Sequence, residues 1–285
     1  MELLWQRGGM RKVLLISSSF PPTNVIGAIR PYKLSKYFPR FGWEPIILTP
    51  KVPGKRPSGV RIIETERPNI VEAVKAIVGM NTKQGLFEQL DTGAPSRSAV
   101  PRERGRVVKL IKDVVYYPDS QGGWYKPAFE AACKFLEKEH VDAMMSTSPS
   151  VVSHMVAIKL KRKYDIPWIA DFRDLWTQNH YYEKNALIRV IERGHEKRTL
   201  SRADVFVAVT NPFAEALKQR YPEKIVHCIT NGFDYDDFSA IVPRVTDTFS
   251  ITYTGGLYNG KRDPSFPHSG GRNAQPLFGE PQEGG

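Results

Sequence analysis

The sequence predicts an α/β protein with a doubly wound, Rossmann-like parallel sheet. Short apolar runs that end in small or polar residues alternate with stretches of helical spacing along most of the chain. This alternation is typical of parallel strands joined by helices. Polar residues also follow several of the predicted strands, and ligands of such sheets bind beyond the carboxyl ends of the strands.

Each strand is predicted from an apolar run that is bounded by polar or turn residues. KVLLISSS at 12–19 is the first, and its small residues at the end suit a buried strand. The other predicted strands lie at 43–49, 60–65, 141–147, 168–171, 204–210 and 224–230. Helical spacing, with a proline at the start of the last helix, predicts helices at 30–39, 69–78, 102–115, 124–139, 151–164, 183–200 and 212–220.

These elements predict one domain at 11–240, after an extension at 1–10 and with a polar, irregular loop at about 79–101. Residues 241–264 are interpreted as a linker and the first strand and glycine loop of a second domain. Residues 265–285 are rich in Gly and Pro and poor in apolar residues, which predicts a disordered tail. The chain is therefore expected to be truncated at the start of the second domain.

The composition is basic, with a formal net charge of +11, which favours phosphates, nucleotides or an acidic membrane face as partners. No zinc-finger spacing or RNP motif accompanies the charge, so nucleic acid is not an expected partner. The absence of a signal-peptide segment and of a long apolar run predicts a cytoplasmic protein. The basic residues from Arg102 to Lys112 leave open a peripheral contact with the inner membrane face, although a core-packing helix with a solvated basic face is preferred.

The loop PPTNVIGAIR joins the first strand to the first helix. Gly27 would let backbone approach a ligand closely, and a helix start can bind an anion. Arg30 would oppose the helix dipole near that start unless an anionic ligand is present. A phosphate-binding loop and a surface loop with an exposed arginine both fit this spacing.

Asp171, Arg173 and Asp174 follow a predicted strand and are expected to cluster at the carboxyl edge of the sheet. Carboxylates and an arginine suit the orientation of sugar hydroxyls, and this function is favoured over a local salt-bridge cluster. A metal site is not expected, because a DxxD pattern without further ligands is weak.

His154 lies one turn into the helix that follows the turn at 146–149. At a helix start that faces a cleft, its imidazole would contact a hydroxyl or move a proton, and a structural histidine on a half-buried helix is the open alternative. Asn231 and Gly232 predict a turn at the end of the last strand. The acidic run that begins at Asp234 is interpreted as helix capping rather than a metal motif.

Glycine spacing tests a dehydrogenase interpretation and disfavours it. No GxGxxG follows the first strand, and the glycines at 253–260 are wrongly spaced. The same missing glycines count against a sugar epimerase or another nucleotide-dependent α/β enzyme.

Taken in order, these segments resemble the family 4 glycosyltransferases of the GT-B type, over about 12–264. The resemblance is carried by KVLLISSSFPPTNVIGAIRPYKLSKYF, STSPSVVSHMVAIKLKRKYDIPWIADFRDLW, ADVFVAVTNPFAEAL, ITNGFDYDDF and ITYTGGLYNGKRDP. It implies two Rossmann-like domains facing a cleft, of which this chain holds the N-terminal, acceptor-side half. It also implies transfer with retention from a nucleoside-diphosphate sugar as co-substrate to an envelope or polysaccharide acceptor, glycan or lipid-linked, with no bound cofactor or metal.

The resemblance assigns roles to individual residues. Donor-phosphate contacts are implied for two glycine loops and their basic neighbours, namely Gly27, Arg30, Gly255, Gly256, Lys261 and Arg262. Catalytic or acceptor-positioning roles are implied for His154, Asp171 and Arg173, and acceptor or interdomain positions for Asp174, Asn231 and Gly232. Because most of a donor domain is missing, the chain alone is expected to be weakly active or inactive, unless a separate chain supplies that domain. The alternative is a non-catalytic remnant that binds an acceptor or a partner.

Overall fold

A computed structural model describes residues 9–69, 119, 121–179, 186–240 and 242. The chain divides into two compact units, Met1–Asp234 and Tyr235–Gly285. In the second unit the described residues form the short 3₁₀ helix Tyr235–Asp237 and a following turn, and they are exposed. The predicted helix at 69–78 beyond its first residue, the loop at 79–101, the helix at 102–115, and the glycine loop and tail from 243 onward lie outside the described residues.

The first unit is built on a seven-stranded sheet within the described residues. In chain order the strands are β1 Arg11–Ser17, β2 Trp43–Pro50, β3 Arg61–Thr65, β4 Ala143–Thr147, β5 Trp168–Phe172, β6 Val205–Ala208 and β7 Ile225–Cys228. Their spatial order is β3-β2-β1-β4-β5-β6-β7, and every neighbouring pair is parallel. The predicted parallel sheet is confirmed. The strand order reverses between β1 and β4, which is where such sheets open a crevice for ligands.

Helices flank this sheet. They are α1 Ile26–Tyr37, α2 Tyr125–Leu136, α3 Val152–Tyr164, α4 Ala186–Leu200 and α5 Asn211–Arg220. Short 3₁₀ helices cover Phe38–Phe41 and Gly122–Trp124. The bounds agree with the predictions to within a few residues. The largest difference is at α1, which begins before residue 30 because Pro31 lies inside the helix rather than at its start.

Two apolar clusters hold the sheet, one on each face. The larger joins Leu14 and Met144 to residues of α2, α3 and α5, and the smaller joins Val13 and Leu15 to partly buried side chains of α1. Leu14 and Leu15 are both fully buried, so β1 is covered on both faces as a central parallel strand requires. The buried strands therefore form a fixed platform whose polar carboxyl ends carry the site.

Candidate active site

The start of α1 offers backbone groups to a ligand. Val25 is the N-cap residue and makes no side-chain capping bond, and the first turn holds no acidic residue. A Cβ added to Gly27 would meet Ser19 and the Arg173 guanidinium at 3.6 Å, which is ordinary van der Waals contact. A helix start without a side-chain cap attracts anions through its N–H groups and its dipole.

Pro31 explains how Arg173 is attached to this helix. Proline has no N–H, so the carbonyl oxygen of Gly27, four residues earlier, loses its usual helical partner. Arg173 Nη1 donates to that oxygen at 2.5 Å. The proline inside α1 therefore leaves an acceptor that positions a guanidinium at the start of the helix.

Most of the guanidinium N–H groups of Arg173 make no hydrogen bond with the described residues. Its guanidinium is half-buried and makes a single hydrogen bond among the described residues. Burial lowers the pKa of Arg173, although the Asp174 and Asp171 carboxylates act in the opposite direction; the Arg30 charge adds to the lowering. A cation that has lost part of its hydration gains from an anion that enters the site.

Asp171 and Arg30 form the buried ion pair of the site. The Asp171 side chain is fully buried and that of Arg30 is 8% exposed. Arg30 Nε donates to both carboxylate oxygens at 3.1 and 3.2 Å, Nη2 donates to Oδ1 at 2.9 Å, and the Thr147 hydroxyl donates to Oδ2 at 2.7 Å. Both oxygens of Asp171 are thus occupied by partners within the chain.

Arg30 also connects α1 to the segment that follows β7. Its Nη1 donates to the Thr230 carbonyl at 3.2 Å and to Asn231 Oδ1 at 3.3 Å. The structure therefore brings together Arg30, Asp171 and Asn231, which the sequence analysis assigned to different parts of the site. Gly232 is exposed, and a Cβ there would meet nothing within 4 Å.

A second buried carboxylate strengthens this connection. Asp234 Oδ2 accepts from Lys33 Nζ at 2.8 Å and from Lys36 Nζ at 2.6 Å, and Oδ1 accepts from the Tyr37 hydroxyl at 2.7 Å. The Asp234 side chain is 1% exposed. These contacts with α1 were not predicted, because the acidic run was compared only with capping and metal motifs.

Ser148 shapes the turn that carries Arg173 and Asp174. The Ser148 hydroxyl donates to the Asp174 carbonyl at 3.0 Å and accepts from the Arg173 and Asp174 amides at 3.2 and 3.4 Å. Its own amide donates to the Asp171 carbonyl at 3.0 Å. Sequence reasoning missed Thr147 and Ser148, although their position at the end of β4, next to β5, was a usable signal.

His154 lies in the core and not on a cleft. Its side chain is fully buried, and Nδ1 lies 2.7 Å from the Ser146 hydroxyl. Trp168 Nε1 donates to that same hydroxyl at 2.7 Å, so the Ser146 proton is available to His154 Nδ1. Burial lowers the pKa of His154 to about 3. The expectation that this imidazole faces the cleft is wrong, because helix α3 turns it toward Phe172 at a ring separation of 4.9 Å.

The described residues contain neither a metal-binding cluster nor a helix that could span a membrane. Within them, no group of three or more His, Cys, Asp or Glu side chains is arranged to hold a metal ion. None of the described helices is both long and apolar enough to cross a bilayer. The predicted donor-side residues Gly255, Gly256, Lys261 and Arg262, and the basic segment from Arg102 to Lys112, lie outside the described residues.

The parallel sheet and its flanking helices define a Rossmann-like α/β domain, and the charged side chains at the carboxyl edge form its candidate site. The chain belongs to glycosyltransferase family 4. The family model, Glycosyltransferase Family 4, matches residues 88–237, more than half of the chain. Membership of this family identifies the chain as a glycosyltransferase-like protein. A comparison with curated proteins found no match.

Two solved structures are similar to parts of this chain. Sucrose-phosphate synthase from Thermosynechococcus elongatus is 17% identical, with 79% of this chain and 49% of that chain covered and a TM-score of 0.48. The Streptomyces sp. SF2575 glycosyltransferase SsfS6, complexed with thymidine diphosphate, is 18% identical, with 72% and 51% covered and a TM-score of 0.38. The chain thus spans about half the length of the solved structures that it matches.

Proposed function

We propose that this chain takes part in the transfer of a sugar from a nucleoside-diphosphate sugar to an envelope or polysaccharide acceptor, with retention of anomeric configuration. The observation that carries the proposal is the half-buried Arg173, held on the Gly27 carbonyl at the start of α1, in a chain of glycosyltransferase family 4. Glycosyl transfer leaves a nucleoside diphosphate, whose negative charge grows as the sugar departs. Fixed donors that stabilise such charge are the main contribution a protein can make.

The diphosphate is assigned to the first turn of α1. The glycine at position 27 keeps side-chain atoms away from the backbone amides, and the remaining donors of Arg173 supply charge-assisted hydrogen bonds. Arg30 has a supporting role in this site. Its guanidinium is occupied by Asp171, Thr230 and Asn231, so it positions the site rather than contacting the phosphates.

The acceptor hydroxyl is assigned to the turn after β5. Asp174 is half-exposed there, and its backbone is fixed by Ser148. Asp171 is enclosed by Arg30 and Thr147, so it fixes the turn instead of removing a proton from the acceptor. His154 is enclosed in the core and holds Ser146 and Trp168 in place. The catalytic roles first assigned to His154 and Asp171 are therefore replaced here by positioning roles.

The test begins with nucleotide binding by the whole chain. Calorimetric titration with UDP, GDP and TDP is expected to find one that binds, and Arg173→Gln is expected to weaken it at least about tenfold, since a hydrogen bond to a charged group contributes about 1.5–3 kcal/mol. Lys51→Gln is the matched control, because Lys51 is an exposed cation at the carboxyl end of β2. Equal affinity in the wild type and Arg173→Gln would contradict the assignment.

Transfer is tested next with nucleotide sugars of the nucleotide that binds. Glycan and lipid-linked acceptors are supplied, and the anomeric configuration of the product is read from its proton coupling constants. An inverted product would overturn retention. Binding without transfer to any acceptor would favour the non-catalytic alternative, in which the chain only holds its ligand.

A further inference from the structure

A cavity of about 280 Å³ lies between α2, α3 and α4. Its apolar wall includes Tyr125, Met155 and Ile158, and its basic residues are Lys159, Arg162 and Arg198, with His195 beside them. A second cavity of about 500 Å³ shares His195 and Arg198. None of these residues belongs to the carboxyl-edge site.

Helical spacing directs these side chains to one place. Met155, Ile158, Lys159 and Arg162 follow the i, i+3, i+4, i+7 pattern of a single face of α3. Ile191, Gly194, His195 and Arg198 follow the same pattern on α4. A Cβ added to Gly194 would meet nothing within 4 Å, so the face of α4 leaves open space.

Within the described part of the chain, the basic residues of the cavity have no carboxylate partner, unlike Lys161 and Lys163 of α3. Lys161 pairs with Asp165 and Asp204 at 3.2 and 3.1 Å, and Lys163 pairs with Glu137 at 3.8 Å. Among the described residues, no carboxylate pairs with Lys159, Arg162 or Arg198. Lys159 instead places its ammonium 4.1 Å from the ring centre of Phe129. Three permanent positive charges thus border one cavity without a carboxylate partner among the described residues.

Lys159, Arg162 and Arg198 are exposed, so an anion can reach all three from solvent. Burial and the Arg198 charge both lower the pKa of His195, so the cavity opposes protonation of its imidazole. Three cations that border one opening repel each other modestly when exposed, and an anion bound between them relieves that repulsion. Guanidinium forks match phosphate oxygens, and two arginines with one lysine suit a group that carries more than one negative charge.

We propose that this cavity between α2, α3 and α4 is a second ligand site, which binds a phosphate group whose carrier has an apolar part. The phosphate is held by Lys159, Arg162 and Arg198, and the carrier lies against Met155 and Ile158. A soluble phosphorylated metabolite and a phospholipid headgroup share this chemistry. The site is independent of the proposed transfer reaction.

The test uses the whole chain with ¹³C-methyl-labelled methionine, and the Met155 signal is assigned with Met155→Leu. Inorganic phosphate and pyrophosphate are titrated at constant ionic strength. A saturable shift of the Met155 methyl signal is expected. The double variant Arg162→Gln/Arg198→Gln is expected to weaken it at least about tenfold, because charge-assisted hydrogen bonds are lost. The control Arg193→Gln/Lys197→Gln removes two charges from α4 outside the cavity and is expected to bind normally.

Flotation with vesicles of phosphatidylcholine and phosphatidylglycerol distinguishes a phospholipid headgroup from a soluble phosphorylated metabolite. Saturation by free phosphate or pyrophosphate assigns a soluble ligand. Vesicle binding that is lost only in the cavity double variant assigns a lipid headgroup, and either result supports the site. The proposal is overturned if neither probe binds, or if the two double variants lose binding equally. Arg173→Gln should leave the Met155 shift intact, so failure here is distinct from failure of the transfer proposal.

Discussion

Two groups of basic residues in this domain carry the same charge but differ in their carboxylate partners. The α1 cations, Arg30, Lys33 and Lys36, pair with the buried carboxylates Asp171 and Asp234. The cavity cations, Lys159, Arg162 and Arg198, border a cavity without such partners among the described residues.

This difference separates cations that stabilise the fold from cations that can bind a ligand. A cation that saturates a buried carboxylate stabilises a connection within the chain, and removing it leaves an uncompensated charge. A cation without a partner contributes little to stability and remains available to an anion. Substitutions in each group of cations test this separation.

Arg30→Met is expected to destabilise the domain by about 3–5 kcal/mol, because Asp171 would remain buried without its counter-charge. Urea unfolding at neutral pH measures the free energy of unfolding. Arg162→Gln serves as the control from the other group. A loss below about 1 kcal/mol for Arg30→Met would show that the α1 cations do not stabilise the fold in this way.

Asp234→Asn is expected to cost about 1–3 kcal/mol, since Lys33 and Lys36 lose a charged acceptor while the side chain keeps its size. The same unfolding experiment measures the change, and limited proteolysis near 230–234 reports whether the segment after β7 loosens. Glu215→Gln, on the exposed side of α5, should change stability by less than about 0.5 kcal/mol. Equal effects of the two variants would contradict the role of Asp234.

His154 is a basic residue that burial keeps neutral, unlike the cations of either group. Its pKa falls from the ordinary 6.5 to about 3 through burial, so the unfolded chain binds the proton more tightly. The neutral imidazole of His154 therefore contributes fully to the free energy of unfolding above pH 6.5. As the pH falls from 6.5 toward 3, this contribution is lost by up to about 1.4 kcal/mol per pH unit.

The pH effect is measured between pH 6.5 and 5, where most carboxylates remain ionised. His154→Gln is expected to lower stability at pH 7 and to flatten this part of the stability profile. A variant that keeps the wild-type slope would assign the titration to another group.

Arg162→Gln is expected to have the smallest effect, a gain of about 0.2–0.5 kcal/mol at low salt, because it relieves repulsion with Lys159 one turn earlier on α3. Added salt should remove the gain, since the cavity cations are exposed and are screened by ions. A clear loss of stability at low salt would show that Arg162 has an acidic partner in solution.

The carboxyl-edge site was only partly predictable. Strand ends collect at one edge in any parallel sheet, so Gly27, Asp171, Arg173 and Asn231 were recognised as neighbours of that edge. Their mutual contacts were not predictable. Arg30 and Asp171 are separated by 141 positions, and their pairing depends on which strand lies next to which.

The sequence by itself determined the parallel α/β class, because residues near one another in the chain set the apolar period, the turns and the helix starts. Pro31 removes the N–H that the Gly27 carbonyl would otherwise accept from, but the sequence predicted the helix start at residue 30, so only the structure showed that Gly27 lies in the helix and lacks this partner. Only the tertiary structure decided that Arg173 takes that acceptor, that His154 faces the core and that three cations meet at a cavity. Side-chain direction and burial depend on how helices pack on the sheet, and this packing joins segments that local spacing cannot relate.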